Sequence, residues 1–400
     1  MTVRSRATLT AVLALIMACG ADGDVTPPVT PLGRGDVTPS RITAEVAVRG
    51  TTAYTTTWGN SAAMASVFYV WDVAGAAPHL LDSVRVEDAT TLGDVAISDD
   101  GSLLVVATER ANGGLAIYSL ADPRRPQLVS RYVTASTADG VHTAELGRVN
   151  GTLYGFLCVD PGMARAAHLV VVDLSVPATP VEVFSRDIGR PFVHDTFLRD
   201  GLLFLALWDD GMAIWDVGGG GAGGTVPAPV ELGRVATVNG EAHNVWWLKD
   251  PVTGIDRYAF VGQEGPGQLG ASSSGDVHVV DVGTVGAPRE VAYFTVPGAG
   301  THNFSVDEPN GILYAAYYNG GVRALDVRGD LGTCLDTQRS MPPNGSAALC
   351  DLTKMGRQLG VELLDRGSPV FIWGVQYLDG AVYASDMLNG LWKLRSLSRP

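Results

Sequence analysis

Four histidines recur at close to one spacing: His142, His194, His243 and His302 are separated by 52, 49 and 59 residues. A polar residue follows each of them, namely Thr143, Asp195, Asn244 and Asn303. Imidazole ligates Fe, Cu and Zn, and when neutral it both donates and accepts a hydrogen bond. Acidic residues gather at a second point of the same period: Glu109, Asp160, Asp209, Asp210, Glu264 and Asp386. Carboxylates placed there can orient imidazoles or hold a ligand. Three uses of these residues compete. The histidines can tie one repeat to the next by hydrogen bonds. They can hold a divalent transition metal (Fe, Cu or Zn), which would support a metal-dependent oxidoreductase. Or Asp195, Asn244, Asn303, Asp209 and Glu264 can line a polar pocket for a small molecule or peptide. No Gly-x-Ser-x-Gly elbow, His-Glu-x-x-His helix or dinucleotide fingerprint stands in a suitable context. The glycine run at 218–224 lacks the lysine and helix of a phosphate-binding loop.

A period near fifty residues implies a repeated unit that positions these side chains. One apolar run returns seven times, as in Phe68-Tyr69-Val70-Trp71-Asp72-Val73, Met212-Ala213-Ile214-Trp215-Asp216-Val217 and Val277-His278-Val279-Val280-Asp281-Val282. Continuous β-branched runs bounded by glycine read as strands buried on both faces. Turns and further strand patterns flank each run, so a unit holds four short strands. Seven such units with almost no helix predict an all-β fold, a seven-bladed β-propeller of four-stranded blades. Radial closure removes the open sheet edges that a row of blades would expose. The four histidines then open the innermost strand in blades three to six; Ile42-Thr43, Gly93-Asp94 and Trp373-Gly374 take that place in the others. The last unit lacks an outer strand. Pro28-Val29-Thr30-Pro31-Leu32-Gly33-Arg34 resembles Pro229-Val230-Glu231-Leu232-Gly233-Arg234, so residues 28–37 are expected to supply it. The recurring aspartates (Asp72, Asp173, Asp216, Asp281 and Asp326) read as structural acceptors at strand ends.

Composition narrows the function. The formal charge is −14, which disfavours nucleic acid, where Lys and Arg neutralise phosphate. With 46% hydrophobic and 18% charged residues, the chain can bury a large core and is not a disordered tail. Arg4 and Arg6 precede an apolar stretch at 7–18 that is too short to span a bilayer. That pattern reads as a secretory signal over residues 1–18. Residues 19–27 would link it to a propeller over 28–400. Cys334 and Cys350 lie 16 positions apart, and in an oxidising compartment they are expected to form a disulfide within an insertion at about 329–360. Ala347, Ala348, Leu349, Leu352, Met355 and Leu359 give that insertion a partial helical stripe. Cys158, inside an apolar strand pattern, reads as a buried free thiol.

Two resemblances sharpen the reading. Ile16-Met17-Ala18-Cys19 resembles the lipobox of bacterial lipoproteins, which implies cleavage before Cys19, a lipid on its thiol and anchorage in the cell envelope. Leu169-Val170-Val171-Val172-Asp173-Leu174-Ser175-Val176-Pro177-Ala178-Thr179-Pro180 is similar to the consensus of LVIVD-repeat proteins, exported β-propellers. The repeat is degraded where Ser119 and Arg395 replace the aspartate. That family implies fold and location and says little of chemistry. Carotenoid-cleaving oxygenases, propellers with an axial iron on four histidines, give the metal reading a precedent in fold alone. The sequence-based expectation is a membrane-anchored envelope lipoprotein that binds a small-molecule or protein ligand at the propeller face, with the oxidoreductase as alternative.

Overall fold

The computed structural model describes residues 29–397 except 38, 39, 60, 111, 163–165, 189–191, 251, 252 and 255. The expected signal, Cys19 and the linker lie outside the described residues. The described chain forms seven four-stranded antiparallel sheets arranged as a β-propeller. The innermost strands of blades one to seven are Ile42–Arg49, Thr91–Ile97, Val141–Val149, Asp195–Arg199, Ala242–Trp247, Phe304–Asp307 and Ile372–Leu378. Each lies beside the next, and the seventh lies beside the first, which closes the ring around an axis.

The strand patterns follow from burial. The second strand of blade two, Leu103–Glu109, is buried at every residue because neighbouring blades cover both faces. Outer strands such as Gln127–Tyr132 alternate poorly and face solvent along much of their length. The repeated aspartates cap the third strands as anticipated: the carboxylates of Asp72, Asp173, Asp281 and Asp326 each accept the backbone N–H two residues on. Asp216 does more. Its two oxygens accept from the backbone of Gly218, Gly219, Gly220, Ala222 and Gly224, so the glycine run is a wrapping around one carboxylate.

Closure occurs as the sequence predicts. Thr30–Gly35 pairs with Gly390–Arg395, the third strand of blade seven, from Thr30↔Arg395 to Gly35↔Leu391. The shared Leu-Gly-Arg has a physical reason. A Cβ on Gly33 would lie 2.6 Å from Ala77, and one on Gly233 would lie 2.1 Å from the Val285 carbonyl. Both glycines let a turn of the following blade approach the outer strand.

Cys334 and Cys350 are joined, and Cys158 is buried and free. The helical stripe expected in the insertion is absent. Leu349–Asp351 instead runs parallel to Arg289–Phe294 and pairs with Arg339–Ser340, which widens the blade-five sheet. Backbone pairing and the disulfide hold this segment extended. The insertion also ends earlier than expected, because Gln358–Glu362 is the outer strand of blade six.

Candidate functional site

The innermost strands begin with irregular pairing, and this aims the histidines. In blade three, Val141 pairs with Val159 and Thr143 with Cys158, leaving His142 as an extra residue. His243 occupies the same place between Ala242↔Gln263 and Asn244↔Gly262. A bulge turns its side chain out of the ladder, here into the channel. His194 and His302 precede their strands by one and two residues.

The four imidazoles form an arc at one end of the axis. Successive ring centroids are 4.4, 4.0 and 3.9 Å apart from His142 to His302. They border a cavity of about 410 Å³ whose other walls include Trp58, Trp208, Tyr318, Phe371 and Trp373. Glu109, Asp160 and Glu264 also line it, and among the described residues no Lys or Arg does. Trp58, Glu109, Asp160, Trp208, Glu264, Tyr318 and Met387 all lie at or just past the end of a second strand, one per blade.

The arc divides into two clusters. His142 Nδ1 lies 3.3 Å from Glu109 and 4.0 Å from Asp160. Its Nε2 faces His194 Nε2 at 2.9 Å. His194 Nδ1 is fixed by the His243 carbonyl at 3.0 Å, and its Nε2 is 3.8 Å from Glu264 Oε2. His243 Nε2 lies 3.8 Å from the same oxygen. Tyr318 Oη donates to the other Glu264 oxygen at 2.5 Å. His302 packs against His243, 3.9 Å between ring centroids, and against Trp373 and Tyr318.

Electrostatics separate the same groups. Burial holds His194, His243 and His302 well below the usual histidine range, so their rings are neutral and carry lone pairs. Burial also opposes charge on His142, but the Glu109 charge and hydrogen bond, with Asp160 and Glu264, override it and push the group up to about 10. Burial raises Glu264, and it raises Asp160 to about 6 against the pull of His142.

The expected ligand residues divide by level. Glu264 lines the cavity, whereas Asp195 and Asn303 line the narrow neck of about 40 Å³ beneath the histidines. Asn244 faces a lower chamber of about 330 Å³. Its carboxamide donates to the His302 carbonyl at 3.0 Å and accepts from the Phe304 amide at 3.1 Å, tying blade five to blade six. Thr143 Oγ1 likewise donates to the His194 carbonyl at 2.6 Å. Asp209 does not line the cavity, because the turn presents Trp208 there instead. Asp210 pairs with Arg234 at 3.5 Å, and Asp386 accepts from Phe371 and Trp392 inside blade seven.

Glu45 and Glu145 were missed, and Asp94, though placed in the histidine register, was not assigned to a site. With Asp195 they surround the lower chamber. The aromatic walls were missed as well, apart from the placement of Trp373 in the histidine register. The only signal for Trp58, Trp208 and Tyr318 was their common place at a second-strand end, since their types differ from the acids there.

The site therefore belongs to a seven-bladed β-propeller with an axial cavity. No protein-family model matches the chain, and no curated protein matches its sequence. Among solved structures it is similar to the C-terminal WD40 domain of Sif2, with a TM-score of 0.55 at 11% identity over 91% of this chain and 98% of that one. It is also similar to Saccharomyces cerevisiae Sqt1, with a TM-score of 0.55 at 8% identity over 92% and 86%. The computationally designed Ika8 protein matches with a TM-score of 0.53 at 11% identity over 92% and 100%. At such identities the likeness is one of fold.

Proposed function

We propose that the protein is an exported, lipid-anchored propeller of the LVIVD-repeat kind that acts as a binding module, with a small, largely apolar molecule in its axial cavity. The cavity carries the reading: aromatic walls enclose about 410 Å³, and a few polar groups sit along one side. Among the described residues its lining holds carboxylates and no Lys or Arg, which weighs against an anionic ligand. WD40-like neighbours are consistent with a binding role in general. The lipobox-like Ile16-Met17-Ala18-Cys19 and the basic, apolar start support export and anchorage.

Tryptophan fluorescence tests the cavity. Titration with indole and substituted phenols should give saturable changes that weaken in the Trp208→Ala variant. Unsaturable responses throughout, or an unchanged response in the variant, would sink the reading. Intact mass of the envelope-extracted chain tests the anchor: the expected product begins at a lipid-modified Cys19, and an unmodified cysteine removes that part.

A further inference from the structure

We propose that His194, His243 and Glu264 hold one divalent transition-metal ion at the side of the axial cavity. His194 Nε2, His243 Nε2 and a Glu264 oxygen lie within 4.8 Å of one another, and Glu264 Oε2 is 3.8 Å from each ring nitrogen. Donors around a tetrahedral ion with bonds of about 2.1 Å stand about 3.4 Å apart. Closing the two 3.8 Å nitrogen–oxygen distances by about 0.4 Å gives that spacing, and the two ring nitrogens, within 4.8 Å of each other, close with them.

The far atoms of two of the three are held as metal ligands require. His194 is held through Nδ1 by the His243 carbonyl, and its Nε2, 2.9 Å from His142 Nε2, would exchange that contact for the ion. Glu264 is held through Oε1 by Tyr318, which leaves Oε2. Such outer contacts fix ring and carboxylate orientation at metal centres. His243 adds an independent observation. It is 2% exposed, Nδ1 has no hydrogen-bond partner among the described residues, and Nε2 has Glu264 only at 3.8 Å. An ion at Nε2 would supply the partner that this nitrogen lacks, and it leaves the buried Nδ1 as it is.

Two nitrogens and one carboxylate suit Fe(II), Zn(II) or Co(II). Ca²⁺ and Mg²⁺ take oxygen-rich cages instead. Three protein donors leave a coordination position facing the cavity, the arrangement of reactive rather than purely structural ions. The trio differs from a ring of four histidines: His142 belongs to the separate group with Glu109 and Asp160, and His302 packs on Trp373.

The inference rests on the axial cavity as the working site, but its test needs no organic ligand. The chain is purified without a metal-binding tag, stripped with dipicolinate, and titrated anaerobically with Fe(II), Zn(II) or Co(II). One ion per chain is expected, with visible Co(II) bands from nitrogen and oxygen donors. Glu264→Gln, checked for folding by circular dichroism, should weaken binding by about 100-fold. Tyr318→Phe, which frees Glu264 but keeps all three donors, should weaken it by about tenfold. His79→Ala, on an exposed histidine, should change nothing. No uptake by the native chain, or equal affinity in Glu264→Gln, overturns the site. An indole titration that fails while the ion binds overturns only the apolar-ligand reading.

Discussion

The two ends of the axis are built from the same seven strands, yet they treat their polar groups in opposite ways. The lower chamber gathers Glu45, Asp94, Glu145 and Asp195. Three of these are tied to backbone amides: Glu45 accepts from Val46 at 2.9 Å, Asp94 from Val95 and Ala144 at 2.7 and 3.0 Å, and Asp195 from Thr196 at 2.8 Å. Glu45 also accepts from Asn303. The histidine end leaves a buried imidazole unpaired beside aromatic walls. Polar groups that the fold satisfies serve the fold. Polar groups left one partner short mark where something else binds.

The largest effect that can sharpen this contrast is a pH dependence of the lower chamber. Burial, with the charge of Asp94, pushes Glu45 and Glu145 up to about 8 from an ordinary 4.5. The same cause raises Asp94 and Asp195. The folded chain therefore keeps protons that the unfolded chain loses above about pH 4.5. Each glutamate then lowers stability as pH rises toward 8, by about 1.4 kcal/mol per pH unit. Denaturation curves should show the Glu45→Gln, Glu145→Gln double variant gaining on the native chain across that window. Parallel curves would mean that these carboxyls are already ionised and solvated.

A smaller effect is expected at the other end. Trp208→Ala with Trp373→Ala removes two cavity walls, and ligand affinity should fall by about 10- to 100-fold. Calorimetric titration reads this, and an unchanged affinity would move the ligand elsewhere. The smallest effect is Asn244→Ala. Losing one tie between blades five and six should cost about 1 kcal/mol in a denaturant midpoint and leave cavity binding intact. A loss of binding instead would erase the distinction between stitching residues and site residues.

Much of the architecture was legible because blade repetition writes itself into spacing. The runs ending in Asp72, Asp216 and Asp281 marked the third strands, and the copy of Leu-Gly-Arg near residue 33 revealed the closing strand. The histidine arc was legible for the same reason. Glu45 was not, because pairing is irregular between Thr43 and Val46. Alternation cannot say which side chain faces the axis where a strand is bulged. Asp209 failed for a related reason: Trp208 has a positive φ of 51°, so the turn swings the aromatic ring inward and leaves the acid outside. The insertion misled because apolar residues at helical spacing can equally cover an added strand.

The pairing of Thr30–Gly35 with Gly390–Arg395 has a consequence in time. Synthesis runs from the N- to the C-terminus, so this strand is made before its partner, with the other six blades between them. Every blade but the seventh can complete itself locally, while the first strand waits through the rest of the chain. Contacts of such sequence separation slow folding, and until they form the ring has a seam. Until blade seven is made, the third-strand partner of Thr30–Gly35 is missing and that strand edge stays unpaired.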